Sequence, residues 1–122
     1  MLELSALPKT WLIDVDGTIV KHNGYFLDGH DTLLEGAKEF IASIPPEDRV
    51  IIMTAREEEY LPALKQFLDK NGIRYDQIVT DLTVGERIVI NDRKPSGLDT
   101  AYAINKDRDT PLEIEYKVNK DL

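Results

Sequence analysis

The sequence predicts an α/β fold: a doubly wound, mainly parallel, Rossmann-like sheet in one domain covering residues 1–122. Two observations carry this expectation. Apolar runs too continuous for a one-faced sheet recur along the chain, the habit of parallel strands buried on both faces. Amphipathic helical stripes separate the first three of these runs, and strand–helix alternation of this kind builds doubly wound sheets. A length of 122 residues fits one domain and leaves little room for a second.

The first strand candidate is Trp11–Val15 and the second is Arg49–Met53, rich in β-branched residues. Between them Leu34, Ala37, Ile41 and Ile44 recur at helical spacing, with Asp31 placed to cap the helix and Pro45-Pro46 to stop it. After the second strand Leu61, Leu64, Phe67 and Leu68 form another stripe, with Pro62 suited to its first turn and Gly72 to the position past its end. Gln77–Thr80 is a short third strand candidate, Arg87–Asn91 a strong fourth and Thr100–Ile104 a moderate fifth. Gly17–His30 reads as a hairpin inserted after the first strand, turning at Asn23-Gly24. Leu112–Val118 alternates apolar and charged residues, the pattern of a half-exposed strand that extends the sheet or pairs with a second subunit. Trp11 and Phe40 read as core.

Composition narrows the function classes. Hydrophobic residues make up 42% of the chain and charged residues 31%, which excludes wholesale disorder. No apolar run approaches the roughly 20 residues of a membrane helix, and no basic-then-apolar secretory leader is visible. With no cysteine there is neither a disulfide framework nor a thiolate metal site, which fits a cytoplasmic setting. The net charge of −8 argues against nonspecific nucleic-acid or anionic-membrane binding, which needs clustered Lys and Arg.

The chemistry-bearing residues collect at predicted strand ends, where open α/β sheets bind ligands. The first strand runs into Asp14-Val15-Asp16-Gly17-Thr18. A carboxylate at a buried strand tip can attack phosphorus, and a second one nearby can donate a proton to the leaving oxygen and later activate water. The plain alternative is an Asp-Gly turn. The second strand ends Thr54-Ala55-Arg56, where a hydroxyl and a guanidinium can hold phosphoryl oxygens, or Thr54 can simply cap the next helix. The fourth ends Asn91-Asp92-Arg93, and an acidic residue there, facing Asp14, would make an oxygen-rich pocket suited to Mg²⁺; the alternative is a polar turn leading to Pro95. Glu57-Glu58-Glu59 reads as solvated carboxylates at a helix start, and His22 and His30 as surface residues near the inserted segment.

Asp14-Val15-Asp16-Gly17-Thr18 resembles the first motif of the haloacid dehalogenase superfamily of phosphatases and phosphotransferases, with Thr54 matching the second motif and Asn91-Asp92 the terminal acidic pair. The Thr-Ala-Arg and Asn-Asp-Arg endings are similar to those of small phosphatases of capsule and lipopolysaccharide sugar pathways and of the phosphatase domain of polynucleotide kinases. The resemblance implies Asp14 as nucleophile and Asp16 as general acid and base. It also implies Mg²⁺ held by Asp14, the Asp16 carbonyl and Asp92, and phosphate or substrate contacts from Thr18, Thr54, Ala55, Arg56 and Asn91. Gly17–His30 would be a flap over the site, with no cap domain.

Two departures stand out. The acidic pair is Asn-Asp, and the family's lysine upstream of the fourth strand is missing. Lys70 and Arg74 fall at the far end of a helix about 15 Å long, and Arg87 at the far start of the fourth strand. Lys94, two residues past Asp92 and held extended by Pro95, is the candidate to replace the lysine, with Arg56 as competitor. The function expected is a Mg²⁺-dependent phosphomonoester hydrolase acting through an aspartyl-phosphate on a small sugar phosphate. The alternatives are a catalytically weak regulatory or binding protein on the same fold, and a phosphatase of nucleotides or nucleic-acid ends.

Overall fold

The chain opens on a short strand that its apolar pattern does not announce, β1 (Leu2–Leu4), and turns into β2 (Thr10–Asp14), the first strand expected. The structure, a computed structural model, describes residues 1–122. After β2 come a one-turn helix α1 (Gly24–Leu27), helix α2 (Ala37–Ser43), strand β3 (Arg49–Met53), a 3₁₀ turn over Glu58–Tyr60, helix α3 (Leu61–Lys70), and the strands β4 (Gln77–Val79) and β5 (Tyr116–Val118). The result is a small α/β domain with two parallel sheets: three strands in the order β2-β3-β4, and a separate pair β1-β5.

The main sheet explains the position of the chemistry. β2 and β3 pair in parallel with Asp14 opposite Met53, so the residues after both strands emerge at the same carboxyl edge. One face of these strands carries Ile13, Val50 and Ile52, all buried, which join the helix stripes Ala37/Ile41 and Leu64/Leu68 in the core. The other face is less covered: Leu12 is 43% exposed, so the continuous apolar run is not buried on both faces as its composition suggested. Trp11 packs edge-on to Phe40 and against Tyr116, and its indole N–H donates to the buried Asp48 carboxylate at 3.0 Å.

Several sequence expectations are corrected here. Arg87–Asn91 and Thr100–Ile104 are not strands. Neither segment makes a backbone–backbone hydrogen bond, and Ile88 and Ile90 are 82% and 93% exposed. An apolar β-branched run has strand propensity, but a strand exists only where a ladder partner takes its N–H and C=O groups. Gly17–His30 is not a hairpin. Asn23 adopts φ 55° and starts α1, whereas the two-residue hairpin turn needs positive φ at both Asn23 and Gly24. The segment holds only isolated bridges, Asp16 with Val20 and Val20 with Leu33.

The ends of the helices follow the sequence in part. Pro62 lies in the first turn of α3 and Gly72 just beyond its end. Asp31 does not cap α2, which begins after Gly36 at φ 80°. A Cβ at Gly36 would stand 2.7 Å from the Leu112 carbonyl oxygen, so the start of the helix and the C-terminal segment meet where only glycine fits. Of Leu112–Val118 only Tyr116–Val118 is a strand. It pairs with β1 of the same chain instead of extending the main sheet, while Leu112 is buried in the core.

Candidate active site

The carboxyl end of β2 folds back on itself immediately after Asp14. The Val15 carbonyl accepts N–H groups from Thr18, Ile19 and Val20, and Gly17, at φ 83°, donates its own N–H to the Val20 carbonyl at 2.7 Å. A Cβ at Gly17 would lie 3.1 Å from Arg108 Cγ, so this turn needs glycine both for its backbone and for the chain that crosses it. The turn leaves the side chains of Asp14 and Asp16 lining one polar cleft of about 310 Å³, together with His22, Tyr25, Arg87 and Arg108.

Asp14 is held at both oxygens. Arg87 Nη1 donates to Oδ1 at 2.7 Å, and the Thr18 hydroxyl donates to Oδ2 at 3.3 Å. The Asp14 side chain remains 36% exposed, open to a ligand in the cleft. Asp16 has a different partner. Arg56 Nε and Nη2 donate to its two oxygens at 3.1 and 2.8 Å, while Nη1 and Nη2 donate to the two oxygens of Asp31 at 3.0 and 2.7 Å. The guanidinium lies face-on to the Tyr25 ring, 3.9 Å from its centroid, and Tyr60 packs edge-on to Tyr25. Burial by itself would lower the Arg56 pKa; the hydrogen bonds that it donates to Asp31 and Asp16 outweigh it and hold the guanidinium above its ordinary value. Burial pushes the Tyr25 hydroxyl up and the Lys106 ammonium down.

A strap of chain from the C-terminal third closes one side. Lys106 Nζ and the Asp109 N–H both donate to the Gly17 carbonyl, at 3.1 and 3.0 Å, and the His22 N–H donates to Asp109 Oδ1 at 2.7 Å. His22 Nδ1 is buried with no hydrogen-bond partner, so this residue belongs to the cleft wall and not to the open surface where the sequence placed it.

The structure thus brings together Asp14, Asp16, Thr18, Ala55 and Arg56 among the residues expected at the site. Thr54 is close but turned away from the cleft. It is buried, its hydroxyl accepts the Arg56 N–H at 3.0 Å, and its backbone bonds Val79 and Leu82. Asn91, Asp92 and Lys94 are not brought to Asp14. Asn91 Nδ2 donates to the Thr100 carbonyl, the Asp92 carbonyl accepts the Thr100 hydroxyl, and the Lys94 N–H bonds Leu98 in an exposed turn. The physical reason is the missing ladder: without pairing of Arg87–Asn91 to the sheet, nothing aligns the residues after it with the carboxyl ends of β2 and β3. Arg56, expected on the phosphate, is committed to two carboxylates.

Arg87 was the residue misplaced most: as the start of a strand it would sit at the opposite edge, yet as an irregular segment it reaches Asp14. Arg108 and Tyr25 carried no motif, and Asp31 was read only as a helix cap. Tyr25 alone lies in a segment expected to flank the site, Gly17–His30. For Mg²⁺ the arrangement does not fit. Asp92 is elsewhere, Asp16 is engaged by Arg56 and one Asp14 oxygen by Arg87, and no three His, Cys, Asp or Glu side chains converge on a shared position. No helix is long and apolar enough to cross a membrane. No protein-family model, curated protein or solved structure matches the chain.

Proposed function

We propose that this cleft hydrolyses small phosphomonoesters through an aspartyl-phosphate on Asp14, with a phosphorylated sugar as the substrate class carried from the sequence. The observation supporting this reading is the paired exposure of Asp14 and Asp16 at the carboxyl end of β2, beside the cations Arg87 and Arg108. Phosphoryl transfer asks chiefly for positioning and charge neutralisation, and a guanidinium already resting on the nucleophile is placed to supply the second.

In the first step an incoming phosphate draws Arg87 from Asp14 Oδ1 onto its own oxygens. The freed Oδ1 forms a bond to phosphorus while the ester P–O bond breaks. The ester enters as its monoanion, and its proton passes through the Asp16 carboxylate to the leaving oxygen, which keeps the electron pair of the broken bond. In the second step water attacks phosphorus, Asp16 takes a proton from it and passes that proton to the phosphate formed, and Asp14 leaves as a carboxylate with inorganic phosphate as product. The side chains lining the cleft do not form a metal donor set. Thr18 orients the oxygen of Asp14 that does not attack.

Arg87 is therefore assigned the neutralising role expected of Lys94 or Arg56. In a panel of alkyl and aryl phosphates, Arg87→Ala is expected to lower kcat/KM by about 10²–10³-fold, the typical cost of removing a preorganised charge partner of the transition state. Lys94→Ala is expected to stay within about twofold, since surface changes away from the site have small effects. A Lys94→Ala enzyme crippled beside a normal Arg87→Ala would overturn the assignment. The same Arg87–Asp14 pair favours a second reading, a binding protein that takes phosphate without turning it over. Phosphate binding without hydrolysis of any ester in the panel selects that reading.

A further inference from the structure

Arg56 occupies an unusual place for a residue beside a phosphate cleft. Its side chain is 4% exposed and that of Asp31 6%, while Asp16, the third member, is 18% exposed and reaches the cleft. The guanidinium makes four hydrogen bonds to the two carboxylates, a fork on each, with its face on Tyr25. Its backbone is fixed as well: the Arg56 N–H donates to the Thr54 hydroxyl and its carbonyl accepts the Asp81 N–H at 2.9 Å. Nothing in this arrangement leaves the guanidinium free to follow a substrate. Asp31 comes from the segment between α1 and α2 and has no part in capping either helix. Its carboxylate has one partner group, Arg56.

We propose that Asp31 is a positioning residue for Asp16: by fixing Arg56 from the far side, it sets the rotamer in which Asp16 faces the leaving-group oxygen. This rests on the phosphomonoesterase reading and adds to it a residue that no motif contains. With Asp31 removed, the Arg56 fork loses half its anchors. It can then rotate away from Asp16 towards the phosphate, where it competes with Arg87. Orientation of this kind matters steeply, because a proton donor works only within hydrogen-bond reach of the leaving oxygen.

Leaving-group chemistry separates positioning from general structural damage. An alkyl phosphate leaves as a strongly basic alkoxide and depends on the Asp16 proton, whereas p-nitrophenyl phosphate leaves as a weakly basic phenolate and depends on it little. In Asp31→Asn, which keeps the volume but loses one arm of the fork, kcat on an alkyl phosphate is expected to fall by about 10–100-fold, while kcat on p-nitrophenyl phosphate falls less than about threefold. Arg56→Lys, which keeps the charge but cannot span both carboxylates, is expected to give the same selective loss and covers the case in which Asp31→Asn folds poorly. An equal loss on both substrates in the two variants overturns the positioning role and leaves the phosphomonoesterase reading standing. A wild-type protein that hydrolyses neither substrate overturns both.

Discussion

Asp14→Asn is expected to abolish turnover, by at least about a thousandfold in kcat, with the fold intact. The amide cannot form the acyl-phosphate that the mechanism requires. The substitution should be benign to folding. Asp14 is partly exposed, and its side chain contributes one long hydrogen bond with Thr18 and a half-exposed ion pair with Arg87, contacts of small worth in water. Steady-state assays paired with thermal unfolding check both parts. Retention of a tenth of the wild-type rate would remove covalent catalysis by this residue.

Arg56→Ala carries the largest expected cost in stability, about 3–5 kcal/mol, because it leaves carboxylates facing each other without the cation that holds them. Asp31 and Arg56 are nearly inaccessible, so solvent cannot replace the lost hydrogen bonds without opening the structure. Tyr25 also loses the cation beneath its ring, one of its two contacts (the other is Tyr60) between α1 and the residues after β3. Chemical denaturation with linear extrapolation reads the change directly. A loss below about 1 kcal/mol, the scale of an exposed ion pair, would mean that the cluster is far more hydrated than its geometry implies.

The parts of the fold that were legible in the sequence are those fixed by local periodicity. β2, β3 and α3 fall where the apolar runs and the Leu61–Leu68 stripe place them, and the boundary residues Pro62 and Gly72 act as their chemistry suggests. What failed depends on distant partners. Arg87–Asn91 has the composition of a strand and no ladder, and β1 is too short for its apolar pattern to register until Tyr116–Val118 is seen beside it. The site shows the same division. Asp14, Asp16 and Thr18 share one turn, so their neighbourhood could be read from consecutive residues. Arg87, Arg108 and Asp31 arrive from segments whose course is set by tertiary packing, and the loss of the fourth strand displaced Asp92 and Lys94 along with it. Arg56 was recognised as a site residue, but its role inverted, because a guanidinium with two carboxylates within reach goes to them before it waits for a phosphate.

If Asp14 accepts the phosphoryl group covalently, the intermediate can be trapped during turnover. An aspartyl-phosphate is an acyl phosphate, which borohydride reduces to homoserine, whereas a free carboxylate is untouched. Enzyme quenched during turnover of an alkyl phosphate, reduced and digested for mass spectrometry, is expected to show homoserine at position 14 and an unchanged Asp16. Active enzyme that yields unmodified Asp14, or homoserine at another position, would rule out Asp14 as the phosphoryl acceptor.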